Sequence, residues 1–285
     1  MRDRKVDQLG TSWFAWRLQP WLLLADARDL QVARAWGLIP NRSANPLTRR
    51  PSRHWSQSDE DGILREILAR TGPTTRGVFL ELGVGDGSEN NTLALLARGW
   101  SGGWVGGEKL AFSPVSGGRL AFVRDWIDRD NVVNLARTVL RGNAWNACDV
   151  VSVDLDGNDF HVAGQLLASG LKPRVWVMEY NGRFPVGTRW VMAYDCKHKW
   201  RRDDYFGASI SSLVELFESH GYFPVACSAQ GANVFFVRDD FRTHFSDIPT
   251  DLDEIFQPPI HYSIPRWGHR PSRRTLQDLT RPNED

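Results

Sequence analysis

Four acids and three glycines at fixed offsets carry the first chemical signal. Residues 77–108 read GVFLELGVGDGSENNTLALLARGWSGGWVGGE, placing Glu81, Gly83, Gly85 and Gly87 in an alternating run after an apolar stretch and Glu108 after a second one. Glycines at that spacing let the backbone turn sharply and approach a ligand, and an acid at the end of the next strand can accept hydrogen bonds from both hydroxyls of a ribose. Glu81, Asp86 and Glu89 rim the turn with negative charge, which repels phosphate and suits a cation. A second group follows in DVVSVDLDGND, residues 149–159, and in RVWVMEYN, residues 174–181, where Asp154, Asp156, Asn158, Asp159, Glu179 and Asn181 stand at or just past the ends of apolar runs. Asp154 or Asp156 can serve as a general base, and His161 lies one helical turn beyond as an imidazole that could share that task. Asp154, Glu179 and Asn181 alternatively offer hard oxygen ligands to Mg²⁺ or Ca²⁺, and a third reading has the acids bind the edge of a cofactor and cap turns.

These groups converge only if the chain folds as a parallel α/β unit. Val78 to Leu80 reads as a buried strand, Thr92 to Ala97 as a helix, and Trp104–Val105 as the next strand. Strand ends after such crossovers line the carboxyl edge of the sheet, where open α/β proteins bind ligands. Upstream, SQSDEDGILREILAR reads as an amphipathic helix with Ser58 as its cap, followed by a turn at Gly72-Pro73. Leu120, Val123 and Ile127 have helical spacing within residues 119–129, and residues 131–140 read as a third strand with a following turn or short helix. Residues 208–221 predict another amphipathic helix, and Phe223–Ala226 and the run ANVFFVRDD, residues 232–240, a closing hairpin with its last strand antiparallel.

Residues 182–207 break this rhythm. A long irregular insertion at a ligand edge reads as a lid, and its Arg, Lys, Trp and Tyr content suits an anionic or sugar-like substrate. Residues 1–55 form a Trp- and Arg-rich extension with a basic linker, read either as a helical cap or as an arm that docks an acidic partner. Residues 241–285 are a polar, Pro-rich extension whose last fifteen residues are expected to be mobile. The domain proper spans 56–240.

Composition narrows the function. The chain has 285 residues and a formal net charge of +1, so there is no global electrostatic case for nucleic acid. Its three cysteines, Cys148, Cys196 and Cys227, are widely spaced, which fits a reducing cytoplasm better than a disulfide framework. The apolar run Trp21 to Ala25 falls far short of the roughly 20 residues that a membrane span needs.

With these motifs in view, residues 56–238 resemble the FkbM-type branch of the class I S-adenosylmethionine-dependent methyltransferases. The resemblance rests on Ser56-Gln57, Glu60 to Leu64, Glu81 to Thr92, Val153 to Asp159, Glu179 to Asn181, and Tyr205 to Ser209; the acid-x-acid-Gly-x-acid cluster is matched by Asp154, Asp156 and Asp159. It implies a seven-stranded Rossmann-like sheet, mostly parallel with an antiparallel last strand and helices on both faces. It also implies S-adenosylmethionine as cofactor, bound by Glu81, Gly83, Gly85, Gly87, Asn90 and Glu108, and methyl transfer to a hydroxyl of a carbohydrate or small-molecule acceptor. Asp154, Asp156 and His161 are the expected catalytic residues. Two other functions keep the same fold: a noncatalytic binding or assembly protein, and an NAD-dependent oxidoreductase. The acidic rim and the missing third glycine of the dinucleotide fingerprint oppose the latter. The Asn/Asp-Pro-Pro-Tyr/Phe motif of nucleic-acid amino-methylating enzymes is absent from the chain.

Overall fold

A computed structural model describes residues 44–72, 75–141, 144–259 and 270–281. The helices and the docking segment expected in residues 1–43 lie outside them. Seven strands form one sheet: β1 (Val78–Leu82), β2 (Ser101–Gly106), β3 (Leu120–Arg124), β4 (Cys148–Val153), β5 (Val175–Glu179), β6 (Tyr222–Cys227) and β7 (Asn233–Arg238). Their order is β3-β2-β1-β4-β5-β7-β6, with β7 antiparallel to both of its neighbours and the other pairs parallel. This is the mixed seven-stranded sheet of the class I methyltransferase fold. The central strands VFLEL, CDVVSV and VWVME are near-continuous apolar runs because helices cover both faces.

On one face pack α3 (Val132–Val139), α4 (Asp159–Ala168) and α5 (Ile210–Glu218); on the other lie α1 (Glu60–Thr71) and α2 (Leu93–Ala97). The short helices α6 (Leu252–Ile255) and α7 (Arg273–Asp278) follow the sheet. The aromatic centre of the first face is Phe217 stacked on Phe236, with ring centroids 4.2 Å apart and Trp176 edge-on. Among the described residues no helix is long and apolar enough to cross a membrane.

Two neighbouring assignments exchange places. Residues 120–124 form edge strand β3, paired with β2 from Gly102–Leu120 to Gly106–Arg124, although their apolar spacing fits a helix. Residues 132–139 form α3 although Val132-Val133 suggests a strand. Tertiary pairing decides both cases. Val132, Ala136 and Val139 make a buried stripe at i, i+4 and i+7, and Val139 lies so close to β2 that a Cβ on Gly103 would come within 2.5 Å of it. The first helix begins at Glu60 with Asp59 in the cap position, one residue later than expected, because Ser58 hydrogen-bonds the Glu60 carboxylate.

Both flanks of the domain are tied down where they are described. Asn45 donates its side-chain amide to the Val225 carbonyl at 2.8 Å, and Leu47 is buried against the sheet. The tail expected to be loose instead contains α7, and Asp204 of the 182–207 segment accepts hydrogen bonds from the Ser272 N–H and the Thr275 hydroxyl.

Candidate functional site

Strand order reverses between β1 and β4, and the crevice at that reversal is where an open α/β sheet offers a ligand the ends of its strands. The chain leaves β1 through Gly83, whose N–H donates to the Val105 carbonyl while Leu82 accepts from the Asp154 N–H. Gly83 has φ +86°, and a Cβ there would fall 1.5 Å from the Asp154 carbonyl oxygen. Gly85, at φ +51°, faces open space instead.

Glu81 does not face this crevice. Its buried carboxylate accepts from the N–H groups of Asn91 (2.8 Å) and Thr92 (3.2 Å) and from the Thr92 hydroxyl, which in turn accepts from the Trp104 indole at 2.9 Å. Burial raises its pKa, against the lowering effect of these hydrogen bonds. The acid thus fastens the residues before α2 to β1 and holds the glycine turn between them. Asn90 donates its side-chain amide to the Val84 carbonyl, and Gly87 packs against Leu110 and Trp104. Glu81, Asn90 and Gly87 therefore stand behind the wall, while Gly83, Gly85 and Glu108 line the cavity. Glu81→Ala should cost about 3 kcal/mol of stability, because buried N–H groups lose their acceptor; a urea midpoint within experimental error of wild type would contradict this bracing role.

The cavity encloses about 730 Å³. Gly83 to Asp86 form one wall, Gly106 to Glu108 the next, and Trp126, Asp154 and Asp156 the floor and far side, with His198, Lys199 and Trp200 of the lid closing over them. Asp86 is held below the usual carboxylate range by hydrogen bonds from the Ser88 hydroxyl and N–H. The lid is latched to the rim, since the Trp126 indole donates to the Cys196 carbonyl at 2.7 Å and the Lys199 ammonium lies 5.7 Å from the Trp126 ring centroid. Residues 196–200 thus reach the cavity rim.

Beside the cavity, Asp154, Asp156 and Glu179 place one carboxylate oxygen each within 4.8 Å of one another. Glu179 Oε2 is buried without a hydrogen-bond partner among the described residues. Burial pushes the Asp154 and Glu179 carboxyls well up, and the neighbouring acids push them further. Asp156 is raised by burial, opposed by the nearby His198, and sits at φ +52°, a conformation rarely adopted by non-glycine residues. Asp159 secures the loop by accepting the N–H groups of Leu155 (2.7 Å) and Gly157 (2.9 Å), and burial raises its carboxyl to about 6.

Two sequence assignments move. Asn181 is engaged elsewhere: its side-chain amide donates to the carbonyls of Asp204 and Phe206, and its Oδ1 accepts from Arg183 N–H. It thereby holds residues 204–206, while Asp156 stands with Asp154 and Glu179 in the carboxylate cluster. His161 lies away from the cavity, with Nε2 hydrogen-bonded to the Met192 carbonyl at 2.8 Å and its ring against Tyr194. The histidine that lines the cavity is His198, whose Nε2 is buried and without a hydrogen-bond partner among the described residues. Burial lowers its pKa. One sequence signal points to it: Gly157, between the acids, where a Cβ would meet the His198 ring at 2.4 Å. Asn158 completes the junction by exchanging hydrogen bonds with the backbone of Asp195.

No protein-family model matches the chain, and no curated protein matches it. Several solved structures are similar. The 1,6-didemethyltoxoflavin-N1-methyltransferase of Burkholderia thailandensis, solved with bound 1,6-didemethyltoxoflavin and S-adenosylhomocysteine, is 16% identical over 83% of this chain and 93% of its own, with a TM-score of 0.40. CalO1, a methyltransferase of calicheamicin biosynthesis in its S-adenosylhomocysteine-bound form, is 17% identical over 60% of this chain and 52% of its own, with a TM-score of 0.35. The MycE methyltransferase of mycinamycin biosynthesis, in complex with Mg, S-adenosylhomocysteine and mycinamycin VI, is 17% identical over 62% of this chain and 48% of its own, with a TM-score of 0.36. The chain thus matches about half the length of the last two.

Proposed function

We propose that the protein is an S-adenosylmethionine-dependent methyltransferase that methylates a hydroxyl of a carbohydrate or small-molecule acceptor. One observation carries this reading. The cavity at the sheet's reversal point joins a glycine turn and an acid at the end of β2 to a carboxylate cluster at the ends of β4 and β5, and its rim is acidic where a dinucleotide's pyrophosphate would need bare N–H groups. When bound, the cofactor supplies a methyl group made electrophilic by its sulfonium.

The chain's own residues then have distinct tasks. Glu108 accepts from the ribose hydroxyls, Gly83 and Gly85 admit the ligand close to the backbone, and Trp126 with the lid residues Lys199 and Trp200 excludes water. Methyl transfer is an in-line displacement, so holding the two reactants at attack distance contributes much of the rate. The acceptor's proton goes to a base on the cavity wall. Asp154 and Asp156 lie there, and His198 replaces His161 as the imidazole in reach, with its lowered pKa keeping it neutral and able to take a proton.

The oxygen cluster also fits a divalent cation such as Mg²⁺. Three hard donors within reach of one another, one of them a buried oxygen without a hydrogen-bond partner, suit such an ion. Asp154, Asp156 and Glu179 would hold it, and it would polarise the acceptor hydroxyl.

Transfer of a labelled methyl group from S-adenosylmethionine to a panel of sugars and hydroxylated small molecules tests the reaction, and a bound cofactor with no transfer to any of them would favour a noncatalytic binding protein. Glu108→Ala should weaken S-adenosylhomocysteine binding about 10- to 100-fold through loss of hydrogen bonds to a charged acceptor, measured by calorimetry. Unchanged affinity would remove Glu108 from that role.

A further inference from the structure

The chain is almost neutral as a whole, yet its charge is unevenly placed. Residues 195–204 and 270–281 contain eight Lys and Arg against four Asp, and they lie about 70 positions apart in the sequence. The structure joins them. Asp203 bridges to Arg270, Asp204 N–H donates to the Arg270 carbonyl, and the Asp204 carboxylate holds Ser272 and Thr275 at the start of α7. All four aspartates are engaged locally: Asp204 is buried in this junction, Asp278 pairs with Arg281, and Asp195 and Asp203 accept from the N–H groups of Lys197 and Tyr205.

The basic residues remain outside. Arg201, Arg202, Arg270 and Arg273 are exposed and make no ion pair among the described residues. The patch also continues into the cavity. Lys199 lines it, and Arg274 lies over the Tyr205 ring at 5.3 Å and close enough to His198 to depress the charging of that imidazole. The cavity therefore has an acidic glycine turn on one side and, on the other, the His198-Lys199-Trp200 segment that leads directly into the exposed Arg201 and Arg202.

We propose that this lid-and-tail surface docks a phosphate-type anion, most simply a diphosphate, carried by the acceptor beside the hydroxyl to be methylated. The inference deepens the methyltransferase reading and rests on it for the word acceptor. Arginines suit the role because each planar guanidinium can bond two oxygens of a phosphate, and those on separate segments can address different oxygens of one ligand. The acid-rimmed side repels the same anion, so the two ligands are sorted to opposite sides of the mouth. A polynucleotide would use the same charges without needing the cavity, whereas Lys199 carries the charge into it, which favours the smaller ligand.

The test titrates the full chain at low salt with inorganic pyrophosphate and, separately, with S-adenosylhomocysteine. The exposed double variant Arg201→Glu, Arg273→Glu is the comparison. Pyrophosphate should bind wild type and lose at least tenfold in affinity in the variant, while S-adenosylhomocysteine binding changes less than twofold. Pyrophosphate affinity that is absent from wild type, or equal in both proteins, overturns the docking proposal and leaves the methyltransferase reading intact. Absence of S-adenosylhomocysteine binding with variant-sensitive pyrophosphate binding keeps the anion surface and removes its connection to methyl transfer. A single-stranded oligonucleotide that binds wild type, is lost in the variant and is not displaced by pyrophosphate would reassign the surface to nucleic acid and overturn the proposal.

Discussion

Gly83→Ala should destabilise the domain by about 3 kcal/mol or more and abolish ligand binding in the cavity. The added Cβ would lie 1.5 Å from the Asp154 carbonyl, a backbone atom fixed by the pairing of β1 with β4. Neither strand can retreat without breaking the ladder that carries both halves of the site. The positive φ adds strain of its own. Gly85→Ala provides the contrast, since its Cβ meets nothing within 4 Å and projects into the open cavity. It should cost only about 1 to 2 kcal/mol, the penalty of the left-handed backbone, while reducing affinity for S-adenosylhomocysteine at least tenfold. Urea denaturation and calorimetry on the two variants separate the effects. Equal losses of stability would show that Gly83 has room that the structure denies it.

Asp154→Asn should do two opposite things: lower methyl transfer at least about 100-fold, the scale of a lost general base, and raise the stability of the metal-free protein. The second effect follows from charge. Asp154, Asp159 and Glu179 are buried close together, and all three carboxyls are pushed up by burial and by neighbouring acids, Asp156 among them. A carboxyl whose pKa is higher in the folded chain binds its proton more tightly there, so protonation stabilises the fold. That contribution is fully present below the unfolded value near 4 and is lost as pH rises through the folded one, about 6 for Asp159. The melting temperature of metal-free wild type should therefore climb as pH is lowered from 7.5 to 5.5, and the climb should be smaller in Asp154→Asn. If the acids hold Mg²⁺, the ion at pH 7.5 should raise the melting temperature of wild type and leave the variant unchanged. A flat or falling profile in metal-free wild type would contradict the repulsion on which both expectations rest.

Much of this site was legible because its residues belong to local patterns. Glu81-x-Gly83-x-Gly85 and the acids of residues 154–159 each follow an apolar strand directly, so strand order alone brings them to one edge. The exchange between β3 and α3 was not legible, because an edge strand with Leu120 and Val123 three apart carries a helix-like signature until β2 is present to pair with it. Glu81 kept its position but changed its task, since only the fold shows that Asn91 and Thr92 return to its carboxylate. His161 and His198 differ for a similar reason. The first is hydrogen-bonded to the Met192 carbonyl, a partner that no spacing rule reveals, and the second reaches the cavity from a segment about 40 residues away whose path is set by Asn158, Asn181 and Asp204. Long-range polar anchors of that kind leave little periodic trace in a sequence.

The measurement that bears most directly on methyl-donor binding is calorimetric titration of the purified protein with S-adenosylmethionine, S-adenosylhomocysteine and NAD, each with and without Mg²⁺. Both adenosyl ligands should bind with micromolar affinity and NAD should not bind. Binding of NAD, or no binding of either adenosyl ligand under any condition, would contradict the methyltransferase reading.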